Sequence, residues 1–200
     1  MSRQDYKLET IASAVSHAAG TATSSHENQR MNAFSAMLTI ANDNPATKNF
    51  ADTDITTTGD YIAITSHGYK TGLLATLTTT GGLPTGLANN VNYYVSVVDS
   101  GKIGLSTSRA NAANAVLITL AKDGNGTHSV KPTAIAGLDV HLEASIDGTT
   151  WVDLVNSTAA AAGSTITSWT GISYPYVRAE STLTAGQISL TAIIRSVGEV

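Results

Sequence analysis

The run "GLDVHLEASIDGTTW" constrains this chain more than any other stretch. Leu138, Val140, Leu142, Ala144 and Ile146 alternate with Asp139, His141, Glu143 and Ser145. Apolar side chains at every second position put one face of a strand on a core and leave the other face wet. Asp147-Gly148 supplies the chemistry of a tight hairpin turn, and "TTWVDLV" begins the returning strand. "SYPYVRAES" and "QISLTAIIRS" read as two more strands. Ile188, Leu190, Ala192 and Ile194 share a face in the last, and a turn at Gly186 is expected to close a second hairpin. Four or five antiparallel strands within about 60 residues predict a β-sandwich.

The sandwich needs a further strand, and "NAFSAMLTIANDN" offers one through Phe34, Ala36, Leu38 and Ile40, ended by Asn42-Asp43-Asn44-Pro45. If it pairs with 137–146, everything between is an excursion from one hairpin. The expected organisation is then a sandwich of residues 25–50 plus 132–200, with a β-domain inserted at 51–131. Inside the insert, "DYIAITSHGYKTGLLATLTTT", "NYYVSVVD", "KIGLSTS", "AVLITL" and "THSVK" read as short strands. Gly, Pro and Asp-Ser-Gly turns separate them. That spacing predicts a small barrel or second sandwich. Residues 1–24 differ. Leu8, Ile11, Ala12 and Val15 have helical spacing, but "AAGTATSS" soon ends it. A short helix or an extended arm ordering against a neighbour is expected there.

Composition narrows the function. Charged residues are 13% of the 200, against about 25% in an ordinary soluble domain. Thr, Ala, Ser and Gly fill the difference, which favours pleated surfaces over helices. The net charge is −4, and the 11 Lys and Arg residues are scattered with no two adjacent. Nothing here resembles a phosphate-binding footprint, so no nucleic-acid partner is expected. The absence of cysteine excludes disulfides and thiolate metal sites. No apolar run reaches the length of a membrane span, and "MSRQDYKLET" has no signal-peptide core. A soluble, cytosolically made, homo-oligomeric protein fits these features.

The pattern "HGYKTG…LPTGL…NYYV…IGLSTS…DGNGTH" resembles a module recurring in structural proteins of tailed bacteriophages. "LDVHLEASIDGTTWVDL…YPYVRAE…AGQISLTAII" likewise resembles phage virion proteins of the head decoration, neck or tail accessory type. Together the matches run from Asn32 to Ile194. In such proteins a strand like "FSAMLTI" passes through a short loop into one like "LDVHLEASIDGTTW", and here that loop holds the 51–131 module. The resemblance implies a virion component, assembled in the host cytoplasm and binding other virion proteins and itself. It brings no catalytic residues.

The residues themselves offer little chemistry. "HENQR" at 26–30 is not a zinc motif, because Arg30 stands where a second histidine is needed. His67 and His128 sit at the two ends of the insert and could approach each other near Asp60 or Asp123, but turn histidines with ordinary hydrogen bonds are the favoured reading. "DGNGTH" starts like a calcium loop, yet Thr127 and His128 occupy positions needing an oxygen ligand and a glycine. No G-x-S-x-G and no phosphate cradle occurs. Neither an enzyme nor a cofactor is expected. Trp151, Trp169, Tyr174 and Tyr176 gather in the sandwich half, with Arg178 next along the Tyr174/Tyr176 face. They could stack on a sugar, but an aromatic with an arginine neighbour is the usual composition of a protein–protein hot spot. The expected partner-binding residues are therefore Trp169, Tyr174, Tyr176 and Arg178, with Tyr6, Leu8 and Ile11 on the N-terminal arm. The leading reading is a head decoration or cement protein. Its rivals are a neck or tail connector and a host-surface glycan-binding module.

Overall fold

The alternating stretch forms a strand whose neighbours on both sides are antiparallel to it. In the computed structural model, which describes residues 4–27, 33–158, 165–170 and 174–199, the chain is all-β apart from one short helix and one 3-10 turn. It divides into two compact units. The first comprises residues 1–43, 137–184 and 188–200, and the second residues 44–136 and 185–187.

The first unit contains β1 (Gln4–Glu27), β2 (Ala33–Asn42), β10 (Asp139–Ser145), β11 (Val152–Thr158), β12 (Thr165–Thr170) and most of β13 (Tyr176–Glu199). Its sheet runs β11-β10-β13-β2-β12, and β1 also pairs with β13. Two long-range ladders meet on β13. Its first part pairs with β10 from Tyr176↔Ser145 to Thr182↔Asp139. Its second pairs with β2 from Ile188↔Asn42 to Val197↔Ala33. Val140, Leu142 and Ala144 are buried with Val177, Ala179 and Leu183, and Leu38 and Ile40 with Ile188, Leu190 and Ala192. Each fully buried Leu or Ile contributes about 1.5–3 kcal/mol of hydrophobic stabilisation.

Two sequence expectations change here, and a third resolves between its alternatives. The strand at 33–42 does not pair with 137–146, because β13 lies between β2 and β10. No hairpin turn occurs at Gly186, since β13 passes through it as one strand. Gly186 has φ of +86°, and a Cβ there would lie 2.7 Å from the Cα of Ile135. Glycine at this point serves a close backbone approach rather than a chain reversal. Residues 4–27 take the extended alternative and pair with β13, in keeping with a segment poor in helix formers.

The second unit contains β3 (Lys48–Ala51), β4 (Ile55–Thr56), β5 (Tyr61–Ala63), β6 (Leu74–Thr79), β7 (Asn92–Asp99), β8 (Lys102–Ser106) and β9 (Thr127–Pro132). They form one sheet in the order β3-β9-β6-β7-β8-β5-β4. Phe50, Ile62, Leu73, Leu77, Val95, Ile103, Leu105 and Val130 are its buried core. "AVLITL" is not a strand. A five-residue helix, α1 (Arg109–Ala113), precedes it, capped by Ser108, whose Oγ accepts from the Asn111 N–H at 3.1 Å. The backbone after α1 is held irregularly. The Ile118 N–H donates to the Leu105 carbonyl, the Leu120 N–H to Asp60 and the Ala121 N–H to the Thr85 carbonyl. A Cβ on Gly104 would lie 2.5 Å from the Leu117 methyls, so Leu117 occupies the space that a side chain on β8 would fill.

Gly186→Ala is expected to lower the unfolding free energy by about 1–3 kcal/mol, the usual cost of a non-glycine residue held at strained φ. Chemical denaturation measures it, and a neutral substitution would contradict the close approach to Ile135.

Candidate interaction face

Strands β10, β11 and β13 present their second face as a set of cross-strand rows. Glu143 stands opposite both Arg178 and Asp153, His141 opposite Glu180, and Ser145 opposite Tyr176. Because side chains alternate, burial of Val140, Leu142, Val177 and Ala179 sends Asp139, His141, Glu143, Arg178 and Glu180 to the other side. Arg178 organises this face. Its Nε donates to Glu143 Oε2, its Nη2 lies 3.5 Å from Glu180 Oε2, and its guanidinium sits 4.4 Å from the centre of the Trp151 ring. The hydrogen bond to Glu143 raises the pKa of Arg178 most, outweighing partial desolvation. A cation–π contact and a directed ion pair together hold the guanidinium over the indole.

His141 sits between two carboxylates, with Nδ1 at 2.9 Å from Asp153 Oδ1 and Nε2 at 3.2 Å from Asp139 Oδ2. Only the imidazolium can donate to both. Burial, the largest single influence, pulls its pKa down. The hydrogen bonds to Asp153 and Asp139 and their charges more than reverse this and raise it above 6.5.

The hairpin tip joining β10 to β11 is fixed by Asp147. Its carboxylate accepts from the N–H groups of Thr150 (2.7 Å) and Thr149 (2.8 Å) and from Ser145 Oγ (2.9 Å). These donors, Thr150 first, hold the carboxyl well below the usual range. The tip leaves apolar side chains in solvent. Ile146 is 75% exposed and Val152 53%.

Of the residues the sequence singles out, Tyr176 and Arg178 lie on this face, and Tyr174 is half-buried just before β13. The side chains of Trp169, Tyr6, Leu8 and Ile11 lie outside those described. Trp151, which the sequence groups with the tyrosines, belongs to the same face; Glu143, Asp153 and His141 join it and escape sequence reading, because their meeting depends on the β10–β11–β13 register. The one available signal was the Asp147-Gly148 hairpin, which brings 151–153 back beside 143.

The second unit has a different feature, a groove of about 650 Å³ lined by Ser66, His67, Lys70, Thr71, Val97 and Ser100 among others. The loop beneath it is fully wired. His67 Nδ1 accepts from the Tyr69 N–H at 3.0 Å, and its Nε2 donates to the Asp99 carbonyl at 2.8 Å. The Tyr69 hydroxyl donates to the Val130 carbonyl, and burial pushes its pKa up. Gln187 clamps the turn, accepting from the Lys70 N–H at 3.0 Å and donating to the Gly68 carbonyl at 3.1 Å. With both ring nitrogens engaged, His67 is a structural group here. His128 is buried elsewhere in the unit, with Nδ1 at 2.8 Å from Thr79 Oγ1 and its ring 5.0 Å from that of Phe50. Among the described residues no three His, Cys, Asp or Glu side chains gather as metal ligands would. The "DGNGTH" turn spends its oxygens on the 81–85 loop. Asp123 accepts from the Thr85 N–H and hydroxyl, and Asn125 from the Gly82 N–H. Among the described residues no helix is long and apolar enough to cross a membrane.

No family model matches the sequence, and comparison with curated proteins finds no match. Among solved structures, the chain is similar to VP17, a capsid protein of bacteriophage P23-77. That match has a TM-score of 0.26 and 8% identity, and covers 99% of this chain and 97% of that one. It is also similar to VP2 of the infectious bursal disease virus subviral particle, with a TM-score of 0.17, 11% identity, and coverage of 99% and 42%. Likenesses this loose carry no argument about function.

The two histidines give opposite pH responses. Burial holds the pKa of His128 below 6.5 against the pull of Asp52. Its contribution is therefore complete above about pH 6.5 and is lost as pH falls toward the folded value. The raised pKa of His141 reverses the sign: its contribution is complete below about pH 6.5 and is lost as pH rises through the folded value. An NMR titration of the imidazole resonances is expected to place His128 below 6.5 and His141 above it, with His141→Gln removing the loss of stability on the alkaline side. The reverse order of the two pKa values would contradict the assigned partners.

Proposed function

We propose that this protein is a non-enzymatic structural component of a tailed-phage particle, in the first instance a head decoration protein. It binds neighbouring particle proteins through the β10–β11–β13 face. The observation that carries the reading is Arg178 over the Trp151 ring, with Tyr176 on the same face, while Ile146 and Val152 are exposed at the adjoining hairpin tip. Aromatic and arginine side chains packed together, with apolar neighbours left in water, are what a protein interface requires. The sequence resemblance to virion proteins spans the same strands and points to the same class of partner. Low charge and small side chains on a β scaffold suit close packing of subunits. Repetition around a symmetric shell converts modest contacts into tight retention.

Particles assembled with Trp151→Ala are expected to bind this protein about thirtyfold more weakly or worse, since truncating a hot spot costs about 2 kcal/mol or more. The circular dichroism spectrum should be unchanged. Full retention would remove this face from the interface, and absence of the wild-type chain from purified particles would end the virion reading.

A further inference from the structure

We propose that the outer edge of β11 is a strand-addition site for an extended segment of a different protein, one that alternates basic and apolar side chains. β11 ends the path of its sheet, and among the described residues β10 is its only partner strand. It is seven residues long. A bulge at Leu154 interrupts its β10 side, and an added strand would meet the other edge. Natural sheets blunt such edges with charged side chains, proline, bulges or a covering loop. Here the charge is a carboxylate, Asp153, with a 44% exposed side chain, beside Val152, 53% exposed, so the strand this edge would admit is one of opposite charge.

The occupant's chemistry follows from the pleat. A strand hydrogen-bonded to β11 would send successive side chains to opposite faces. On one face they would continue the row Arg178–Glu143–Asp153, with Glu180 and Asp139 on the same face in neighbouring rows. The only cations described on that face are Arg178, already between Glu143 and Glu180, and His141, between Asp139 and Asp153. On the other face they would lie beside Val152, which stands opposite Ala144 in the register, close to the apolar tip at Ile146. Basic residues suit the first face and apolar ones the second. A second copy does not fit. The first unit carries ten Asp and Glu against five Lys and Arg, and pairing β11 with itself would join two acidic faces in one sheet. The inference rests on the virion reading only for the source of the segment.

The test uses the full chain, isotopically labelled, and two synthetic seven-residue peptides, one alternating lysine with valine and one alternating glutamate with valine. The lysine peptide is expected to shift β11 amides saturably and to protect them from exchange, weakening steeply at about 0.5 M salt. The glutamate peptide should do neither. Asp153→Lys and, independently, the surface change Val152→Lys should each weaken binding about tenfold. Equal binding of both peptides, shifts centred away from β11, or no effect of either variant would overturn the proposal. Failure of peptide binding with the chain present in particles sinks this inference alone. Absence from particles with peptide binding intact sinks only the virion reading.

Discussion

The first unit depends on one strand staying continuous for 24 residues. β13 carries β10 and β11 on its first part and β2 and β12 on its second. Residues separated by more than a hundred positions therefore share one hydrogen-bonded sheet. At Gly186, one of the residues 185–187 that belong to the second unit, the strand takes a positive φ where the backbone of Ile135 comes close. Every row of the candidate face is counted from this strand. A slip of one residue would carry Arg178 to the core side and Val177 into water. The burial of Val140, Leu142, Val177 and Ala179 is thus the same fact as the outward display of Glu143, His141 and Arg178.

The second unit answers a question its sequence poses. The segment "HGYKTG" brings a histidine, a tyrosine and a lysine close together. Yet His67, Tyr69 and Gln187 spend their polar atoms on fixing backbone groups. A buried polar group satisfied in this way specifies a loop conformation and leaves nothing over for proton transfer. Exposed apolar side chains occur in both units, at Val91, Val98 and Val116 in the second and at Ile146 and Val152 on the β10–β11 tip of the first. At the tip they adjoin the charged and aromatic rows around Arg178, and that directs the functional reading toward binding.

Much of the fold was legible because periodicity reports burial directly. The strands at 139–145 and 92–99 and the Asp147-Gly148 hairpin follow from alternation and turn chemistry alone. The topology around β13 was not legible. Gly186 reads as a turn in one dimension, and only the approach of Ile135 makes it a point on a straight course. "AVLITL" shows the converse failure: it has strand composition, but its backbone N–H groups donate to Asp60 and Leu105, and the next, that of Ala121, to Thr85, which no local pattern reveals. Of the candidate face, Tyr176 and Arg178 were visible as neighbours on one strand. Trp151 was grouped with them, but Glu143 and His141 were not, since a hairpin register and a second ladder have to be known before those side chains meet.

The most direct test of the central claim, a β scaffold repeated over a particle surface, is the copy number of this chain relative to the major capsid protein, by quantitative mass spectrometry of purified particles. The account predicts a ratio approaching one copy per capsid subunit, or one per symmetric cluster of subunits. A chain found at only a few copies per particle, or absent, would contradict it.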